Sequence, residues 1–206
     1  MFRSKFTTIL VLACLISVSP LSRAASPKTI VFIGDSITDG YGVKKEEAYP
    51  TKVGELLKSK GFDVKVINGG TSGSVTAEAD RRVRWFLKAK PEVVVLALGG
   101  NDGLKGTPTK VIEENLERAI DLAQKSGIKV LLVGQRIYTN FGSDYTKDFE
   151  RVFARLAEKR KIPFEPFLLE DVAMKRELNQ PDMKHPNAAG HVKVAERIAR
   201  ALEKLL

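Results

Sequence analysis

The chain has 206 residues, 43% of them apolar, with 34 Lys and Arg against 25 Asp and Glu, a formal charge of +9 and one cysteine. That apolar share excludes a disordered or low-complexity chain and fits one domain with a real core. A single cysteine excludes an internal disulfide framework and a thiolate metal cluster.

The charge does not mark a nucleic-acid binder. Basic residues in 110–126, 147–161 and 193–204 are mixed with acids, the pattern of solvated helix faces. Part of the excess also belongs to the start of the chain. Arg3 and Lys5 precede an apolar run from Phe6 to Leu21, and Ser22-Arg23-Ala24-Ala25 closes it. This reads as a secretory signal peptide over residues 1–24, cleaved after Ala24, and the run is shorter than a membrane span needs. Cys14 lies inside it. Val11-Leu12-Ala13-Cys14 faintly resembles a lipoprotein box, but the apolar run continues through Val18. A periplasmic or secreted protein, with a folded domain over 25–206, is therefore expected ahead of a lipid-anchored one.

The domain opens with an apolar run at 29–33 that ends in the polar turn GDSITDG. A helical pattern follows at 49–60, then a strand at 64–67 that ends in NGGTSGS. A helix at 76–89 leads to a strand at 93–98 and the loop GGNDG. A helix at 109–126 leads to a strand at 129–133 and a loop over 134–145. Helices at 144–161 and 188–205 flank a weaker strand at 162–165. The strand runs are continuously apolar, as strands buried on both faces are. Repeated strand–helix units predict an α/β fold: a parallel sheet of about five strands with helices on both faces. In such a sheet, functional groups collect beyond the carboxyl ends of the strands, where the three glycine-rich loops lie.

Ser36 is the one hydroxyl at the tip of the first loop. A serine nucleophile needs a base, usually histidine, and only His185 and His191 are present. Pro186 keeps His185 out of a helix, and Asn187 can cap the helix that follows. His191 sits inside that helix beside Val192 and Val194 and is expected to pack. Asp182, three residues before His185, can fold back in one turn onto its Nδ1–H. The N–H groups of Ser36 and Gly73 and the side-chain amide of Asn101 are candidate oxyanion donors. Asp35 is expected to hold the first turn through loop N–H groups rather than react.

Several alternatives are missing their motifs. There is no G-x-S-x-G elbow, no Gly-Lys-Ser/Thr after the first strand and no G-x-G-x-x-G there. Two histidines and no thiol in the folded part argue against zinc. A non-catalytic reading, in which GDSIT holds a phosphate or flavin, leaves Asp182, His185 and Asn101 without a task.

Together the blocks GDSIT, INGGTSG, GGND and DMKHPN, in this order over residues 28–205, resemble the SGNH (GDSL-type) hydrolase family. Within it the chain looks most like the group of periplasmic thioesterase I, lysophospholipase L1 and arylesterase. The resemblance implies a three-layer, flavodoxin-like fold. It puts Ser36, Asp182 and His185 at the triad positions and Ser36, Gly73 and Asn101 at the oxyanion hole. Ser74, after Gly73, departs from the acidic residue often found there. The implied activity is hydrolysis of short- to medium-chain acyl esters, acyl thioesters or lysophospholipids, with carbohydrate O-acetyl esters as the alternative. Ile137, Tyr138 and Phe141 are candidates to cover the acyl chain. No cofactor, metal or nucleic acid is expected. Membrane contact is expected to be weak at most, and the molecule a monomer.

Overall fold

The apolar runs become strands because both of their faces are covered. The computed structural model describes residues 26–138 and 141–206, so the expected signal segment lies outside it. The strands are β1 (Lys28–Gly34), β2 (Val64–Asn68), β3 (Val93–Ala97), β4 (Lys129–Val133) and β5 (Phe164–Glu165). All pair in parallel, in the order β2-β1-β3-β4-β5. That is the doubly wound order in which the connections reverse between β1 and β3. The last strand is shorter than its apolar run suggests. Pro163 has no N–H to give the ladder, though its carbonyl still accepts from Leu132 N–H at 3.0 Å.

Among the described residues seven helices surround the sheet: α1 (Ser36–Asp39), α2 (Tyr49–Ser59), α3 (Ala79–Phe86), α4 (Gly100–Leu104), α5 (Thr109–Lys125), α6 (Ser143–Arg160) and α7 (Ala188–Glu203). Successive strand residues point to opposite faces. Val31, Ile33, Val94, Leu96, Val130 and Leu132 pack with α3, α5 and α6. Ile30, Phe32, Val93, Val95, Leu131 and Val133 pack with α2 and α7. Each side chain buried in this way contributes about 1.5–3 kcal/mol. The mixed charges of the long helices meet one another: Arg155 pairs with Glu113 at 2.9 Å, Lys159 with Glu117 at 2.7 Å, and Arg160 with Asp121. These join α6 to α5 across the surface, so much of the basic charge is answered within the chain.

The two shortest helices, α1 and α4, begin where β1 and β3 end, at the point where the strand order reverses. The sequence pattern shows them only as polar loops, because four or five residues are too few for a helical period.

Candidate active site

The turn after β1 is built by two residues that leave it no freedom. Asp35 caps α1, its Oδ1 accepting the N–H of Ile37 at 3.1 Å. Gly34 lies against Thr38 so closely that a Cβ there would stand 1.9 Å from the Thr38 hydroxyl oxygen. The chain thus enters α1 at once, and Ser36 becomes its first residue. The N–H of Ser36 has no partner inside that helix. Asp35 is buried, and burial raises its pKa to about 6. It serves the turn, as its place beside the hydroxyl suggests.

The second loop is stitched onto the first. Thr71 N–H donates to Gly34 O at 3.1 Å, and the Ser72 hydroxyl donates to Asp39 at 2.7 Å. Gly73 follows with φ +82°, a left-handed backbone, and a Cβ added there would meet nothing within 4 Å beyond its chain neighbours. Asn101, in the first turn of α4, donates its side-chain amide to Ser74 O at 2.9 Å. Next to it Asp102 is buried and accepts both Thr76 N–H, at 2.9 Å, and the Thr76 hydroxyl, at 2.7 Å. Three loops from three strands are therefore fixed to one another by side-chain and backbone hydrogen bonds.

The segment before α7 closes the site. Gln180 N–H donates to His185 O at 2.8 Å and Met183 N–H to Gln180 O at 2.9 Å, which folds 180–185 into a tight turn. Inside that turn Asp182 Oδ1 accepts the N–H of Lys184 at 2.9 Å and of His185 at 3.1 Å. Its Oδ2 lies 2.6 Å from His185 Nδ1. Partial burial pushes this carboxyl up, but the bonds from the ring and from the two N–H groups prevail and lower its pKa to about 2. On the far side of the ring, His185 Nε2 lies 2.9 Å from Ser36 Oγ. Asn187 caps α7 by accepting Gly190 N–H at 3.0 Å. The three side chains thus form one line of hydrogen bonds from carboxylate to hydroxyl. Such a line can draw a proton from the hydroxyl and keep the imidazole in one tautomer.

The GDSL-like Lipase/Acylhydrolase family matches residues 32–193. This chain belongs to that family. An arylesterase of Vibrio mimicus is 37% identical over 88% of this chain and 91% of its own length. The thioesterase 1/protease 1/lysophospholipase L1 of Escherichia coli K12 is 30% identical over 89% of this chain and 88% of its own. The crystal structure of TesA superposes with a TM-score of 0.83 at 32% identity, over 87% of this chain and all of that one. The family's α/β architecture is the one described above.

A cleft of about 510 Å³ opens over Ser36, Asn101 and His185. Ile137 and Tyr138 line it, the first buried and the second exposed. Phe141 is not among its lining residues. Its ring lies 5.6 Å from that of Tyr145 and closes over Gly106. His191 is far from the hydroxyl in role as well as in chain position: it is fully buried on α7, and its Nδ1 accepts Tyr49 N–H at 3.2 Å. Burial lowers its pKa to about 4. Other lining residues carried no sequence signal. Tyr41 lies against the His185 ring with centroids 4.9 Å apart. Phe167, Met174 and Met183 form part of the wall, from segments with no periodic pattern.

Proposed function

We propose that this ester hydrolase works through an acyl-enzyme formed on Ser36. The observation that carries this reading is the line Asp182–His185–Ser36, with separations of 2.6 and 2.9 Å. His185 Nε2 takes the hydroxyl proton as Oγ attacks the ester carbonyl. Asp182 holds the ring and stabilises the imidazolium that forms. The N–H groups of Ser36 and Gly73 and the Asn101 amide receive the oxyanion. His185 then protonates the leaving alcohol or thiol, and water, deprotonated by the same ring, frees the acid.

The substrates in this reading are acyl esters, thioesters or lysophospholipids whose chains lie in the cleft along Ile137 and Tyr138. The largely apolar lining supports an acyl chain over a sugar. The enzyme would act in the periplasm or outside the cell after residues 1–24 are removed, which rests on the sequence of that segment alone.

The test compares residues 25–206 with the Ser36→Ala variant on p-nitrophenyl esters of increasing chain length. The expected result is turnover by the parent, none above background by a folded variant, and a preference for chains longer than acetyl. Equal turnover in the two proteins would remove Ser36 from the reaction.

A further inference from the structure

Residues 26–206 contain two sulfur atoms, those of Met174 and Met183, because Met1 and Cys14 lie before residue 26. Both methionines line the active-site cleft. Both are open to solvent, Met174 at 70% exposure and Met183 at 37%. Both also have an unusual backbone. Among the described residues four other than glycine have positive φ: Lys90, Lys161, Met174 and Met183. The two lysines are helix C-caps, where a left-handed residue is ordinary. The two methionines, at φ 64° and 56°, are not at helix ends. A left-handed backbone in a residue other than glycine costs on the order of 1 kcal/mol and persists where its surroundings demand it. Met183 bends within the turn in which Asp182 Oδ1 reaches forward to accept the N–H groups of Lys184 and His185. The turn that builds the triad therefore also sets a thioether at the mouth of the cleft.

We infer that Met174 and Met183 form a reversible oxidation site, and that a peroxide converting them to sulfoxides turns off hydrolysis of long acyl chains while sparing short ones. The inference rests on the acyl-cleft reading above. In the step, a sulfur lone pair attacks one peroxide oxygen and forms the S–O bond. The O–O bond breaks, and the departing oxygen leaves as water with the proton that the other gives up. Sulfur is oxidised by two electrons and the peroxide is reduced. An apolar, flexible wall becomes polar and chiral. An acyl chain long enough to reach that wall then meets an S=O group that it cannot hydrogen-bond, whereas an acetyl group ends at the oxyanion site.

The experiment treats the folded protein with hydrogen peroxide, locates added oxygen by peptide mass spectrometry and measures kcat/KM for acetyl and dodecanoyl p-nitrophenyl esters. The expected result is oxidation at 174 and 183, a loss of roughly ten-fold on the dodecanoyl ester, and a change of less than about two-fold on acetyl. Methionine sulfoxide reductases should restore the long-chain rate. The Met174→Leu/Met183→Leu protein, compared with its own untreated rate, should not respond to peroxide. Parallel loss on both esters, loss without oxidation at these two residues, or full long-chain activity in the doubly oxidised protein would each overturn the inference. Reversal by the reductase tests it in the parent even if the double variant folds poorly. Untreated parent that is inactive on every ester would instead sink the esterase reading, and this inference with it.

Discussion

His185 is gripped at both ends of one ring, and this makes the other site residues easy to rank. Asp182, with its pKa near 2, stays a carboxylate through any ordinary acid range. Asn101 is different, because it already spends part of its amide on Ser74 O. With Asn101 in its proposed role, the Asn101→Ala variant should lose about 100- to 1000-fold in kcat, the usual cost of one oxyanion donor. The loss should fall on kcat rather than on KM, as steady-state kinetics would show, and a change in KM alone would reassign the amide to ground-state binding. Asp182 and His185 are legible in the sequence because a three-residue spacing closes within one turn. Tyr41 and the two methionines are not, since their neighbours at the cleft lie far along the chain. The left-handed backbone of Met183 is hidden as well, because nothing in the residue type announces it.

At the scale of the element, the entry into α1 depends on the absence of a side chain. Gly34→Ala would drive a Cβ into Thr38, whose hydroxyl is itself bonded to Tyr49 Oη at 2.9 Å in the core. Such overpacking should cost about 1–3 kcal/mol and move Ser36, so stability and activity fall together. Gly73→Ala meets empty space, and its penalty is the left-handed backbone alone, on the order of 1 kcal/mol. Thermal melts and assays of the two variants side by side check this: a Gly73 variant less stable than the Gly34 one would contradict it. Most of the long strands and helices are legible to within a residue or two, because their apolar periods run for many residues; the helix expected over 76–89 is α-helical only at Ala79–Phe86, with a 3-10 turn at each end. The short helices α1 and α4, which carry Ser36 and Asn101, are not legible. Their existence follows from the Asp35 cap of α1 and from the bonds of Thr38 to Tyr49 and of Asp102 to Thr76, partners that lie too far along the chain for a local window to link.

Across the whole molecule, two buried groups pull its acid stability in opposite directions. Unfolded, Asp35 releases its proton near 3.8; folded, it holds it to about pH 6. The folded state binds more protons in that window, so this group makes stability fall as pH rises from about 4 to about 6. His191 charges near 6.5 when unfolded but only near 4 when folded. There the unfolded state binds more protons, so this group makes stability fall as pH drops from about 6.5 to about 4. The two contributions largely offset in the parent. Asp35→Asn should expose the histidine slope, with stability rising by up to about 3 kcal/mol between pH 4 and 6.5 relative to the parent's course. His191→Gln should tilt the other way. Denaturant titrations at several pH values would check both, and curves that run parallel to the parent's would refute the pairing.

The bond between Ser36 and His185 joins residues 149 positions apart, almost the full span of the domain. In the proposed mechanism the nucleophile, Ser36, lies near the start of the described fold and its base, His185, near its end. On that reading a newly made chain should have no activity until α7 docks against α2. Helix and sheet signals should return early in refolding and turnover only at the end, since long-range closure is the slow step. Under the proposed mechanism, turnover is thus a readout of the finished topology: a nascent or clipped chain ending before residue 185 keeps Ser36 but lacks the histidine proposed to activate it.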